Sequence, residues 1–298
     1  MKKIIMTLTA MLTLTMMSDC ITKENAENTE SDVVEADYSN IDNDDPITPY
    51  QIDNFSEISI SGIVHAVIKQ GENYDVRVSE SPNPKIKTRV EKKGNTLNVF
   101  TETKEKSIHT GDAPTLYVTL PSIKGVRGSG ATVMTLSNLT TGDMDFDLSG
   151  AAKATFGDMK CGGLDIDCSG ASKLDFGKVK CESLKGDLSG ASNMTLAANV
   201  NGDIDLDNSG ACKQNLHLSG KNLRMENNGA SSCEVSFKGV SANVSCSGAG
   251  KMQLDVDCEE LKASNSGASK FTISGTADKT DIDASGAAKI NTKQLNQM

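Results

Sequence analysis

Apolar and polar residues alternate along most of this chain in short runs, and short alternating runs predict β-strands. Ile58–Ile68, Asp75–Val78, Lys85–Val90, Thr96–Phe100 and Thr115–Leu120 all read this way, bounded by Gly, Asn, Pro and Ser turns. Gly94-Asn95 between two of these runs is a hairpin signal. From residue 128 the pattern becomes periodic. Ser-Gly-Ala stands at residues 129–131 and returns with Gly150, Gly170, Gly190 and Gly210, twenty residues apart. Gly229 (within Asn228-Gly229-Ala230), Gly248, Gly267 and Gly286 follow at nineteen. A fixed period near 20 is the mark of a stacked repeat.

Laid over one another, the units share their apolar positions. One column holds Leu136, Phe156, Phe176, Leu196, Leu216, Val235, Leu254 and Ile273, and a second apolar pair precedes each triplet, as in Met144/Phe146 and Ile204/Leu206. Each unit thus carries two strands of four to six residues, too short for a βαβ unit, and no 3.6-residue period occurs after the N-terminus. The prediction is an all-β fold: a parallel β-solenoid of ~20-residue coils, capped by an N-terminal β-strand region. Nine coils at ~4.8 Å make a rod on the order of 40 Å long, with right-handed winding the default. The expected organisation is 1–19 signal peptide, 20–48 acidic tether, 49–127 N-terminal β region and 128–298 solenoid.

The triplet itself reads as scaffold. Glycine recurs where the chain needs a positive φ or lets backbones approach closely, and the alanine after it is expected in a narrow interior corner. The column before the triplet contains Asn208, Asn227 and Asn265, which suggests a partial ladder of stacked side-chain amides. Ser61-Gly62 echoes the motif but is out of phase with the repeat.

Composition refines this picture. The 298 residues contain no Trp and few aromatics, so thin layers of Leu, Ile, Val, Ala and Cys must form the core. Net charge is −10, and most of it lies in residues 21–46, where nine carboxylates face the single Lys23. Such a segment cannot bury enough apolar surface to fold by itself. The nearly neutral remainder, without a basic patch, gives no reason to expect nucleic-acid binding. Lys2, Lys3 and the apolar run Ile4–Met17 form a targeting segment. It ends at Ser18-Asp19-Cys20, which resembles a bacterial lipoprotein lipobox, although Asp19 departs from the usual small residue. That resemblance implies lipidation of Cys20 and a membrane anchor. Lys23-Glu24 loosely resembles the signal sending Bacteroidetes-type lipoproteins to the outer face of the outer membrane.

Without Cys20, seven cysteines remain, an odd number that cannot all pair within the chain. Cys161 and Cys181 hold the same position in adjacent units and should stack. The cysteines read mainly as small apolar fillers, with room for one or two disulfides in an oxidising compartment.

Two polar columns are candidate chemistry. Two positions before each triplet stand Asp147, Asp167, Asp187, Asp207 and Glu226, then Ser245, Ser264 and Asp283; two positions after it stand Lys153, Lys173, Asn193, Lys213, Ser232, Lys251, Lys270 and Lys289. Carboxylates stacked ~4.8 Å apart repel by roughly 1 kcal/mol in water and about 3–4 kcal/mol at an effective dielectric near 20. The acidic column must therefore be solvated, paired with lysines or occupied by cations. It reads first as a solvated edge and second as a cation- or glycan-binding strip. Catalysis has little support: His65, His109 and His217 stand in no nucleophile or zinc pattern, and only Asp147, Asp165 and Asp167 suggest an acid/base cluster. Neither a cofactor nor a metal site is expected.

Several positions together resemble a known family. Phe55, Ile58, Ser61-Gly62, Ala66-Val67, Leu97, Val99, Tyr117-Val118, Leu120-Pro121, Ile123 and Gly128-Ser-Gly-Ala131, followed by repeated Ser-Gly-Ala units, are similar to the head GIN domain family. The resemblance spans roughly residues 50–298. It implies a β-solenoid exported to the cell envelope, often as a lipoprotein, with an adhesin label but no catalytic residues to carry over. The expectation is a non-enzymatic outer-membrane lipoprotein with a surface-interaction role and a glycan or protein ligand. The alternative is a glycan-binding or polysaccharide-active β-helix protein using the Asp column. The exposed edge of the last coil is expected to admit pairing with a second copy.

Overall fold

The computed structural model describes residues 47–105 and 109–297. The expected signal peptide, Cys20 and nearly all of the acidic tether lie outside the described residues. What is described is built almost wholly of strands, with one short 3₁₀ turn at Thr110–Asp112. Parallel pairing in register, with a shift between Asp175 and Lys178, carries the chain upward. Met144–Leu148 pairs with Gly163–Cys168, which pairs with Ser183–Leu188, then Ile204–Asn208, Asn222–Asn227 and Ser241–Cys246. A second series runs from Val133–Leu136 through Lys153–Phe156, Lys173–Cys181, Asn193–Val200 and Lys213–Ser219 to Ser232–Lys238. The molecule is a parallel β-solenoid of about nine turns, as the repeat predicts.

The inward columns are the apolar ones. Leu136, Phe156, Phe176, Leu196, Leu216, Val235, Leu254 and Ile273 are all buried, as are Met144, Phe146, Ile204 and Leu206. All seven cysteines from Cys161 to Cys258 are buried and unpaired. Burial pushes the Cys168 and Cys233 thiols up to about 12. Those two behave as apolar fillers, since a thiol that cannot ionise neither attacks nor ligates readily.

The N-terminal region does close one end, but it also supplies coils. Glu57–Gly62 lies between Thr96–Glu102 below and Gly125–Gly130 above, parallel to both. His65–Gln70 lies likewise between Thr115–Leu120 and Val133–Leu136. Gly62 stands directly under Gly130. The Ser61-Gly62 echo, out of phase in sequence, is therefore in register in space. Beyond this coil Lys87–Lys93 pairs antiparallel with Thr96–Glu102 across the Gly94-Asn95 turn. Asp75–Ser79 pairs antiparallel with both Thr115–Leu120 and Ile47–Tyr50. These reversed strands cover the end of the stack.

The corner differs from expectation in one respect. Ala131, Ala151, Ala171, Ala191 and Ala211 are exposed; the inward residue is the next one, Thr132, Ala152, Ser172, Ser192 and Cys212. The positive φ of the glycine breaks the in–out alternation and turns two consecutive residues outward. The small inward hydroxyl then closes its own corner: Ser172 Oγ donates to Ser169 O at 2.8 Å, Ser192 Oγ to Ser189 O at 2.7 Å and Ser269 Oγ to Ser266 O at 2.7 Å.

The buried asparagines do not form a ladder either. Asn208 exchanges hydrogen bonds with the Gln214 amide. Asn227 accepts from Ser231 Oγ at 2.6 Å, and Asn265 accepts from Ser269 Oγ while donating to Lys289 O at 3.0 Å. Each amide thus finds its main partner across the corner, four to six residues on in its own coil. That satisfies a buried polar group without requiring an identical neighbour above.

Candidate functional site

The face leading into the corner is formed by the first series of strands, in which residues such as Met144, Phe146 and Leu148 point inward while the alternate ones, Asp145 and Asp147, point to solvent. Register pairing aligns Asp147, Asp167, Asp187, Asp207 and Glu226 in one unbroken column. They line a groove of about 410 Å³ along the corner, together with Ser169, Ser189, Ser209 and Asn228. The four predicted aspartates are thus brought together. Ser245, Ser264 and Asp283 continue the column in sequence but not in the groove lining.

A second outward column runs beside the first: Asp145, Asp165, Lys185, Asp205 and Arg224. Its cations, which the sequence reading did not single out, neutralise the upper groove. Lys185 Nζ lies 3.1 Å from Asp187 Oδ2 and 4.0 Å from Asp165 Oδ2. Arg224 reaches Asp205 at 2.5 Å, Asp207 at 3.2 Å and Glu226 at 2.5 Å. Of the three alternatives for the acidic column, pairing with the lysines two positions after the triplet is not the one seen, because Lys153, Lys173 and Lys213 stand on the strands that leave the corner. Lys173 there pairs with Asp175 at 2.8 Å. The signal was present in the sequence as a break in the Asp145/Asp165/Asp205 column.

Below Lys185 the balance changes. Asp145, Asp147, Asp165 and Asp167 form two columns on two coils; among the described residues only Asp165 of these has a cation within 4.0 Å, while Arg127 stands in register with Asp147 one coil below. Asp165 Oδ1 is closed off from solvent without a hydrogen-bond partner. Asp167 is held above the usual carboxylate range, first by partial burial and then by the charges of Asp165, Asp187 and Asp147, with Lys185 opposing. A raised folded-state pKa means that ionised Asp167 subtracts from stability at neutral pH. The penalty is relieved as pH falls through the folded pKa and is gone below the unfolded value near 4. Asp167→Asn should therefore raise the melting temperature slightly at pH 7, with the gain shrinking toward pH 4 and in high salt. A gain that grows on acidification would contradict this.

No group of three or more His, Cys, Asp or Glu is arranged to hold a metal ion among the described residues. His65, His109 and His217 do not line the groove. The carboxylates can attract cationic or hydroxyl-rich groups, and the proton affinity of Asp167 is raised.

Fold and face together define a repeat scaffold of the β-solenoid class that displays columns of like side chains. The chain belongs to the family described as "Putative auto-transporter adhesin, head GIN domain", whose pattern matches residues 54–221 and 219–297. This agrees with the resemblance read from the sequence, and it brings an adhesin-type, cell-surface class of role. Two crystal structures from Parabacteroides distasonis ATCC 8503 share the fold. One is of a "putative lipid binding protein", with TM-score 0.54 and 12% identity over 84% of this chain and 97% of that one. The other is of a "putative adhesin", with TM-score 0.54 and 15% identity over 83% of this chain and 98% of that one. At such identities the likeness concerns the fold alone. No curated protein matches the chain.

Proposed function

We propose that this protein is an exported envelope lipoprotein, anchored through Cys20, that serves adhesion without catalysis and makes contact through its acidic face. The observation that carries this reading is the repetition of the face. Asp147, Asp167, Asp187 and Asp207 present one chemical group at one position on successive coils. Catalysis needs a unique constellation of groups in distinct roles. A column repeating every ~4.8 Å instead suits many weak, equivalent contacts with an extended ligand, whose sum exceeds each. The ligand is then a glycan or a protein surface offering hydroxyl or cationic groups.

Adhesion of intact cells to immobilised matrix and glycan surfaces tests this. Cells carrying the wild-type chain should bind. Cells carrying the quadruple Asp→Asn variant at 147, 167, 187 and 207 should lose most adhesion at equal surface amount, and Cys20→Ala should shed the protein from the envelope. Undiminished adhesion by the quadruple variant would remove the acidic face from the reading.

The groove beside Asp165 and Asp167 favours a second reading, a polysaccharide-active β-helix with Asp167 as proton donor. Release of oligosaccharide from a polysaccharide panel, abolished in Asp167→Asn, would support it over the first.

A further inference from the structure

We propose that Cys161 and Cys181 form a reactive dithiol that closes an inter-coil disulfide by exchange with an external disulfide. The placement comes from the strand register. Lys160 and Lys180 are direct partners on adjacent parallel strands, and the Cys161 N–H donates to Lys180 O at 3.0 Å. Cys161 and Cys181 directly follow this pair, Cys161 just past the end of its strand. Parallel neighbours stand ~4.8 Å apart, within the Cα separation of about 4.4–6.8 Å that a disulfide spans. Four of the remaining cysteines have no cysteine as register partner, although Cys233 lies near Cys212 and Cys246 across the interior. Cys168 is flanked in register by Leu148 and Leu188, Cys233 by Gln214 and Met252, and Cys246 by Asn227 and Asn265, while Cys258 faces Ala277.

The pair is also reachable from solvent, as Cys168 is from the acidic groove. Cys161 and Cys181 line a surface pocket of about 190 Å³ that Lys160, Lys180 and Glu182 also border. The two thiols interact, which pushes Cys161 down against burial and the charge of Asp143 and pushes Cys181 up. Two neighbouring thiols at one pocket are the arrangement in which one cysteine attacks and the other resolves.

The exchange balances without any group beyond the external disulfide, R–S–S–R. Cys161 gives up its proton and its sulfur attacks one sulfur of that disulfide. The S–S bond breaks, and the departing R–S⁻ takes up a proton. Cys181 then loses its proton and attacks the Cys161 sulfur of the mixed disulfide, expelling the second R–S⁻, which is protonated in turn. Two protein thiols are oxidised to one disulfide, and one external disulfide is reduced to two thiols. The product staples the coil bearing Asp167 to the coil bearing Asp187.

The test uses the purified full chain treated with oxidised glutathione, then alkylated and mapped by mass spectrometry. The expected result is a Cys161–Cys181 cross-linked peptide with the other five solenoid cysteines unpaired. A melting temperature raised by roughly 5–10 °C and restored by reductant should accompany it, since closing a loop of about 20 residues constrains the unfolded chain. Cys181→Ser should leave glutathione trapped on Cys161, and Cys161→Ser should abolish the rise. Both thiols staying free for alkylation with unchanged melting would overturn the proposal, as would bridges scattered among the other cysteines. Should Cys161→Ser not fold, the wild-type peptide map decides the matter alone. The chemistry is independent of any adhesive role.

Discussion

Gly190→Ala should destabilise the protein by roughly 2–5 kcal/mol, far more than a methyl group on an exposed residue would suggest. Two costs combine. Gly190 has a φ of 73°, where any side chain adds about 1–2 kcal/mol. A Cβ there would also stand 2.5 Å from the carbonyl oxygen of Gly170 and 3.0 Å from its nitrogen. That carbonyl already accepts the N–H of Ala191 at 2.7 Å. The methyl group would have to displace the acceptor that joins the two coils, and backbone held in a ladder cannot rotate away as a side chain can. Gly94→Ala separates the two costs. Gly94 has a φ of 60° but nothing within 4 Å of its would-be Cβ, so the conformational cost alone remains. Urea denaturation should rank Gly190→Ala well below Gly94→Ala, which in turn lies modestly below the wild type. Equal losses would mean that the close approach contributes nothing and that φ alone demands glycine.

The same glycine explains how much of the fold was legible in the sequence. Stacking in register makes the structural repeat equal to the sequence repeat, so the period, the inward Leu/Phe column and the acidic column could all be read from spacing. Failures came where a position's neighbours are not set by that spacing. Glu57–Gln70 forms a coil, yet the chain then leaves to build the cap and re-enters beneath it at Thr96–Leu120 before continuing upward at Gly125. Spatial order departs from chain order there, and periodicity is blind to it. The corner alanine faces outward although its small size suits a confined corner. Alternation across a left-handed glycine is broken, and Ala151 faces water while Ala152 faces the core.

The candidate site shows a similar division. Alignment of the aspartates followed from the repeat, but their neutralisation did not. A lysine two residues after the triplet is close in sequence and lies round the corner on another face. Lys185 and Arg224 are far from some of their partners in sequence and one coil away in space. In a solenoid the nearest charge is commonly about 20 residues distant, so pairing has to be sought down columns as well as along strands. The asparagines carry the complementary lesson. Asn208 and Asn227 do stack in register, yet each bonds along its own coil because Gln214 and Ser231 offer a partner there.

Phe156→Ala is expected to be the most damaging core substitution, costing about 3–5 kcal/mol. The chain is poor in aromatics, and three of its phenylalanines meet across two adjacent coils. Phe156 stacks on Phe176 with ring centroids 4.2 Å apart and packs edge-on to Phe146 at 4.5 Å, whereas Phe146 and Phe176 are 6.0 Å from each other. Phe156 is thus the member that joins the other two, and its loss removes two aromatic contacts of about 0.5–1.5 kcal/mol each along with its buried area. Strand ladders on both sides hold the backbone in place, so the void cannot collapse easily, and the cost should fall toward the upper end of the range. The damage should also be local in a way that a globular core would not allow. Each coil touches only its neighbours, so stability is close to a sum of coil and interface terms. Hydrogen exchange should then show protection lost first over residues 144–176, with the coils from residue 213 upward keeping theirs. Uniform loss of protection along the rod would show instead that the stack unfolds as one cooperative unit, with the aromatic level no weaker than the rest.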